Sequence, residues 1–250
     1  AASINRTHEI LSSVFNIPLA TGTIKNMVTR CAESLKDTYE QIRLKMITLG
    51  LIHCDETGSR VDGKTCWVHV ASDQNYTYLT INQKRGQAGM DAANVLPHAN
   101  GIIMHDCWSS YWKYQNVTHA ICCAHLLRES NGVIENHPEQ TWAVRFKKLL
   151  LDMKKVRDKA LLLDKDEVSY YHRHKFDMEY DSIIKTAYGE NPFPETPAKK
   201  RGRTKKSKVL NLICRLYNYK ESVCLFIKNL CVPFDLSLIH ISEPTRQEAI

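Results

Sequence analysis

The sequence predicts an α/β fold in which a five-stranded sheet follows a helical N-terminal segment and is interrupted by a helical insertion. Three observations support this fold class. Apolar residues recur at helical spacing over residues 23–49, five short strand-like segments lie between residues 51 and 123, and helical spacing returns over residues 140–190.

The N-terminal segment, residues 1–50, reads as one long amphipathic helix over residues 23–49. Gly50 lies just past its end, where glycine is favoured. The residues that form its apolar stripe are Ile24, Met27, Val28, Cys31, Leu35, Tyr39, Ile42 and Met46.

The sheet is predicted from β-branched, aromatic and apolar runs that are separated by turn residues. Asp62 and Gly63 mark a turn between the first two strands. The fourth segment is apolar without a break, which is typical of a strand that is buried on both faces. The five predicted strands cover residues 51–54, 66–71, 76–81, 101–105 and 118–123, with a helix over about 88–96.

The second half of the chain is predicted to be mostly helical. A loop over residues 191–197 holds three prolines, which disfavour both helix and sheet, and an amphipathic helix over about 209–230 follows a basic run. We therefore expect these segments: 1–50 helical, 51–135 the core that holds the sheet, 136–198 helical insertion and proline loop, 199–235 basic loop and last helix of the core, and 236–250 a foreign tail.

Composition narrows the class of protein. A net charge of +7 and a pI near 8.9 fit a polyanionic partner. The nine cysteines are scattered, which favours reduced thiols over a disulfide framework. No apolar stretch approaches the roughly 20 residues of a membrane span. The sequence is thus typical of a soluble cytoplasmic protein without a membrane partner.

Two carboxylates follow predicted strands and are the first candidates for chemistry. Asp55 comes directly after the first strand and Asp106 directly after the fourth. Carboxylates at the ends of neighbouring strands converge at one edge of a sheet, and they need a cation between them if both are ionised. The alternative reading is that each aspartate only ends its strand and caps the next turn.

Six short segments carry a family resemblance, namely HCDETG at 53–58, RVDGK at 60–64, WVHV at 67–70, HDCWSSY at 105–111, CCAHLLRE at 122–129 and VPFD at 232–235. Through these segments, in this order, the sequence resembles the insertion sequence 66 family of DDE transposases from about Ile17 to Asp235.

The resemblance implies a ribonuclease H-like fold, in which a mixed sheet carries a DDE triad and two divalent ions, Mg²⁺ or Mn²⁺. Asp55 would be the first carboxylate and Asp106 the second, both as catalytic residues and metal ligands. Glu56 would support the turn beside Asp55. Cys122 and His125 would shape the site around the metals. Their spacing also occurs in zinc sites, but no second pair of ligands accompanies it.

The third carboxylate is missing from the pattern. In the family, the VPFD motif continues into an asparagine-rich segment whose glutamate would align with His240. Residues 236–250 instead resemble the translation of a sequencing-library adapter, and Glu243 and Glu248 are poor substitutes because a proline follows one and the terminus is near the other. We therefore predict that this chain, truncated within its last motif, is catalytically inactive.

The basic run KKRGRTKKSK at 199–208 holds seven cations in ten positions. It is either an ordinary solvated charge run or a clamp for the DNA backbone, and the resemblance favours the clamp. Its cations are Lys199, Lys200, Arg201, Arg203, Lys205, Lys206 and Lys208.

The resemblance thus implies a nucleoid-associated DNA transposase domain that cleaves and joins strands and acts on transposon ends and target DNA as a homo-oligomer. Two alternatives remain at this point. One is a non-catalytic DNA-binding remnant of a transposase, and the other is a ribonuclease H-like nuclease unrelated to transposition. A zinc-binding module is a more distant reading.

Overall fold

The computed structural model describes residues 3–61, 63–194 and 206–236 of the chain. Five strands form one sheet in the order β3-β2-β1-β4-β5. β2 pairs with β3 in antiparallel fashion, whereas β4 lies parallel to both β1 and β5. The mixed sheet is confirmed, and its strand order is that of a ribonuclease H-like fold. The strands are β1 (Leu51–Val61), β2 (Lys64–Ser72), β3 (Thr77–Asn82), β4 (Ile102–His105) and β5 (Thr118–Ile121).

The first strand is longer than its apolar run predicts. β1 continues through Asp55 to Val61, and its last five residues are exposed. Gly63 follows with a φ of 75°, a conformation that glycine adopts without a steric cost. β1 therefore continues into the hairpin with β2, beyond the part of the strand that is buried.

The described part of the N-terminal segment forms the helices α1 (Ile4–Ser13), α2 (Thr21–Ser34) and α3 (Lys36–Ile47). The last two cover most of the long helix predicted from sequence. The predicted long helix is divided at Leu35. The hydroxyl of Ser34 donates to the Cys31 carbonyl at 2.9 Å, and Leu35 has φ −96° and ψ 0°. A side-chain hydroxyl that bonds the preceding turn disturbs a helix in this way.

The insertion consists of two long helices. After α4 (Gln87–Ala93) and α5 (Cys123–Asn136), the chain forms α6 (Thr141–Leu162) and α7 (Tyr170–Glu190), which pack against each other. The predicted stripe of α6 is buried, since Trp142, Phe146 and Leu150 are each 0% exposed.

The predicted helix over 209–230 is three shorter helices, α8 (Lys208–Asn218), α9 (Lys220–Val223) and α10 (Leu225–Lys228). The first break falls at Tyr219, whose ring stacks on Trp112 with centroids 3.7 Å apart. Tyr219 is therefore held by a tertiary contact, which the local pattern of apolar residues does not predict.

The described residues divide into two compact units. One holds residues 3–49 and 56–99, and the other holds 50–55 and 100–236, so the division falls within β1 between Asp55 and Glu56. The segment boundaries proposed from sequence at 50, 135 and 198 stay predictions.

All nine cysteines are free thiols, and most are buried. Among the described residues, none of the helices has the length and apolar character that crossing a membrane requires.

Candidate active site

The register of two parallel strands places Asp55 beside Asp106. β1 and β4 pair Leu51 with Ile102 and His53 with Met104. Two further steps in the same register bring Asp55 opposite Asp106, directly after β4 ends. Neighbouring strands lie about 4.8 Å apart, and paired residues of parallel strands project to the same face. Both aspartates are half-buried. The two predicted carboxylates are therefore brought together at one edge of the sheet.

Hydrogen bonds hold both the side chain and the backbone of Asp106. Its carboxylate accepts a hydrogen bond from the Trp108 amide at 2.8 Å, which fixes the side chain over the following turn. His105, which is 0% exposed, donates from Nδ1 to the Asp106 carbonyl. Burial lowers the pKa of His105 to about 3, so the ring is neutral at pH 7. The backbone of Asp106 is therefore held by a neutral, buried imidazole.

The loop after Asp106 is connected to two helices through Arg215 of α8. The guanidinium donates through both terminal nitrogens to the carboxylate of Glu129 on α5, with one contact at 3.1 Å. It also hydrogen-bonds the thiol of Cys107. Burial raises the pKa of Cys107 to about 12, so that thiol stays protonated beside the carboxylate. Arg215 could not be predicted from the sequence, because its partners lie about one hundred residues away and leave no local spacing signal.

Glu56 faces away from this pair. Adjacent residues of a strand point to opposite faces, and the Glu56 side chain is 1% exposed. Its Oε1 accepts from Arg85 at 2.9 Å, and the same guanidinium lies 4.7 Å from the centre of the Trp67 ring. Glu56 thus takes part in a buried ion pair next to Asp55 in sequence, which fits the supporting role predicted for it.

Cys122 and His125 lie at the start of α5, directly after β5. Burial raises the pKa of Cys122, and the backbone amides of His125, Leu236 and Ala124 are hydrogen-bonded to its sulfur. The Nδ1 atom of His125 is buried and has no hydrogen-bond partner among the described residues. The two side chains occupy the end of the strand next to β4, where a site-shaping role was predicted.

The last motif, residues 232–235, lies at the same edge of the sheet. Cys123 donates its backbone N–H to the Phe234 carbonyl at 3.0 Å. From the insertion, the buried Arg157 donates to the carbonyls of Val232 at 3.1 Å and Leu230 at 2.9 Å. The motif is thus fixed between the first turn of α5 and α6, and Asp235 comes close enough to Cys122 to influence its ionisation.

Most of the basic run lies outside the described residues, namely Lys199, Lys200, Arg201, Arg203 and Lys205. Two of its cations are described. Lys206 places its Nζ 3.1 Å from the sulfur of Cys214 and 5.1 Å from the centre of the Phe193 ring, whereas Lys208 is exposed at the first turn of α8. The clamp stays a prediction for this segment.

The donor set suits a hard divalent cation. Carboxylate oxygens favour Mg²⁺ or Mn²⁺, and one ion can neutralise two carboxylates that face each other. In the described part of the chain, no group of three or more His, Cys, Asp or Glu side chains is placed to hold a metal ion. Asp55 and Asp106 therefore fit one ion between them, while a second ion needs a further ligand.

Comparisons with known proteins identify a family. A family model described as "Transposase IS66 family" matches residues 1–236. No curated protein matches the sequence.

Two viral structures resemble part of the chain. One is the HTLV-2 integrase catalytic core domain in complex with magnesium, with 15% identity and a TM-score of 0.25 over 59% of this chain and 88% of that one. The other is a chain of the simian T-cell lymphotropic virus intasome in complex with PP2A regulatory subunit B56 gamma, with 11% identity and a TM-score of 0.25 over 65% of this chain and 53% of that one. At these values, neither likeness bears on what this chain does.

Proposed function

Because the chain belongs to the IS66 family of transposases, we propose that it is a transposase catalytic domain that performs metal-dependent phosphoryl transfer on DNA. The observation that supports the proposal is the parallel register of β1 and β4, in which His53 pairs with Met104. Continued by two residues, this register brings Asp55 opposite Asp106 at the carboxyl edge of the parallel strands. Binding sites of open α/β sheets lie at that edge.

In this mechanism Asp55 and Asp106 would hold Mg²⁺ or Mn²⁺ through their carboxylate oxygens. Such an ion, when bound, activates an attacking water or 3′ hydroxyl and stabilises the leaving oxygen. The Trp108 amide and the neutral His105 fix the orientation of Asp106. Glu129 and Arg215 hold the loop that follows it. The residues around the pair thus pre-organise it before DNA arrives.

We further propose that the chain as it stands is catalytically incomplete. The family's third carboxylate would align with His240, which lies outside the described residues. A two-metal site that lacks one anionic ligand holds its ions weakly. DNA, as transposon ends and target, and a second copy of the chain are the partners that the family assignment favours.

A chimera tests both proposals. Residues 236–250 would be replaced by the corresponding segment of a complete IS66-family transposase, and both proteins would be incubated with Mn²⁺, a duplex with a free 3′ hydroxyl and a supercoiled plasmid. We expect the chimera to nick and join DNA, the original chain to do neither, and Asp55→Asn in the chimera to abolish both activities.

Each other outcome contradicts a specific claim. Joined products from the original chain would contradict its incompleteness. A folded chimera that neither nicks nor joins DNA would contradict the transposase assignment, and a chimera that cleaves without joining would favour a nuclease.

The second candidate is a DNA-binding remnant without catalytic activity. The absence of a three-ligand acidic group among the described residues favours it. The two candidates differ in the chimera assay, since a decayed core would not regain cleavage when its last segment is restored.

A further inference from the structure

Helix α6 of the insertion carries an unusual concentration of positive charge. Its 22 residues include seven Lys or Arg and two Asp. The neighbouring helix α7 has nearly the same length but balances three Lys or Arg against four Asp or Glu. The excess on α6 is therefore a property of this helix and not of the insertion as a whole.

The charges of α6 lie on a defined face. Its opposite face is buried in the insertion, where Trp142, Phe146 and Met153 are at most 1% exposed. Arg145, Lys148, Lys155 and Lys159 follow one another at three-, seven- and four-residue spacing, so they form a single stripe on the outward side, which also holds Asp152. We refer to these four residues as the α6 basic face. With a rise of 1.5 Å per residue, the face extends for about 21 Å.

Ion pairs neutralise little of the positive charge on the α6 basic face. Lys155 pairs with Asp152 at 3.7 Å across an exposed surface, where ion pairs contribute little. Lys148 and Lys159 form no ion pair with any residue of the described ranges. Arg145 donates to the hydroxyls of Thr186 and Ser182, which leave its charge intact.

The spacing of the cations on the α6 basic face lowers the stability of α6. Lys155 and Lys159 are four residues apart, a spacing at which like charges repel by a few tenths of a kcal/mol. A face that only needed solvation would mix charges of both signs, as α7 does. The α6 basic face is instead arranged for an extended partner with negative charge.

We propose that the α6 basic face binds the phosphate backbone of duplex DNA. This inference rests on the proposed function, which supplies DNA as the polyanion. A 21 Å length of duplex presents roughly twelve phosphate charges, so one duplex can contact all four cations at once. The face lacks the buried aromatic centre that is typical of a protein interface. Lysines that contact phosphates position DNA without reading its sequence.

The test measures binding of the full chain to a fluorescently labelled random-sequence duplex by anisotropy, in EDTA, from 50 to 300 mM NaCl. The test variant carries Lys148→Gln, Lys155→Gln and Lys159→Gln. The control variant carries Lys25→Gln, Lys175→Gln and Lys185→Gln, which removes the same net charge from exposed positions on α2 and α7. A third variant replaces the three α6 lysines with arginine and keeps their charge.

We expect the test variant to bind at least about tenfold more weakly at 100 mM NaCl. The slope of log K against log salt should also fall by about 2.7, because each lost phosphate contact contributes about 0.9. The control and arginine variants should bind like the original chain. Circular dichroism of all four proteins shows whether helix content is unchanged.

Equal losses in the test and control variants would mean that only net charge matters, which overturns the inference. Unchanged binding by the test variant would also overturn it, while leaving DNA binding by the chain intact. Failure of the original chain to bind duplex DNA at 50 mM NaCl would contradict the proposed function itself, and the inference with it.

Discussion

At the scale of single residues, Arg215 connects parts of the chain that are distant in sequence. It joins α8 to Glu129 on α5 and to Cys107, directly after the predicted metal ligand Asp106. A guanidinium that meets a carboxylate through two nitrogens is held in one geometry, which a single lysine contact does not achieve. Arg215 therefore acts as a positioning residue for the loop after β4.

Glu129→Gln and Arg215→Gln should each lower the free energy of unfolding by about 1 kcal/mol, because the pair is only partly exposed. The double variant should lose little more than either single variant, since both remove the same interaction. Urea denaturation measures this, with Arg6→Gln, which breaks the exposed pair with Glu9, as a control. Fully additive losses would contradict the coupling.

Gly89 lies where no side chain fits. A Cβ at this position would come within 2.0 Å of the Lys84 carbonyl oxygen and 2.6 Å of Nε2 of His69. We expect Gly89→Ala to shift α4 and to reduce the free energy of unfolding by on the order of 2 kcal/mol. Gly132→Ala on α5 is the matched control, since its Cβ would meet nothing within 4 Å.

Chemical denaturation of both glycine variants tests this packing. Gly132→Ala should stabilise the chain by roughly 0.5–1 kcal/mol, because alanine loses less backbone entropy in a helix. Equal effects of the two substitutions would contradict the close approach at Gly89.

At the scale of elements, α6 fixes the segment that leads into the last motif. Arg157, 9% exposed, donates to the carbonyls of Leu230 and Val232. The insertion therefore contributes two hydrogen bonds to the chain just before Asp235. The segment is also tied to the first turn of α5 through Cys123.

Arg157→Met keeps much of the side-chain volume but removes both donors. Two buried carbonyls then lose their partner, and we expect a loss of about 2–4 kcal/mol in the free energy of unfolding. Arg145→Met, on the exposed face of the same helix, should change it by at most about 0.5 kcal/mol. Similar effects of the two variants in urea denaturation would contradict the role assigned to Arg157.

The strands were the most predictable elements, because β-branched and apolar runs mark them locally. The placement of Asp55 and Asp106 at the ends of buried apolar runs could also be read from the sequence, while their role as a metal site stays a prediction. The ends of the helices were less predictable. Tyr219, where the predicted last helix is interrupted, stacks on Trp112, and Arg215 contacts Cys107, so both contacts join residues more than one hundred positions apart. Neither contact leaves a periodic signal in the sequence.

At the scale of the whole molecule, the reactivity of each cysteine thiol depends on how deeply the thiol is buried. Burial raises the pKa of Cys224 to about 12, and Cys123 is 0% exposed with a pKa raised well above that of a free thiol. Cys31 and Cys231 are exposed. Since the thiolate is the reactive form, only exposed cysteines should react quickly with an aromatic disulfide reagent at pH 8.

We expect rapid modification of Cys31 and Cys231 in the native protein and modification of the buried thiols only after unfolding in guanidinium. Mass spectrometry of the labelled peptides identifies the sites. Prompt labelling of Cys123 or Cys224 under native conditions would contradict the packing around β5 and α9.

Mn²⁺ binding to the full chain, followed by electron paramagnetic resonance of the free ion, tests whether Asp55 and Asp106 form a divalent metal site. We expect one bound Mn²⁺ per chain, and we expect it to be lost in Asp55→Asn and in Asp106→Asn. Binding should be retained in Asp164→Asn, which changes an exposed aspartate between α6 and α7. Binding that is unchanged in both active-site variants would contradict a metal site at these two aspartates.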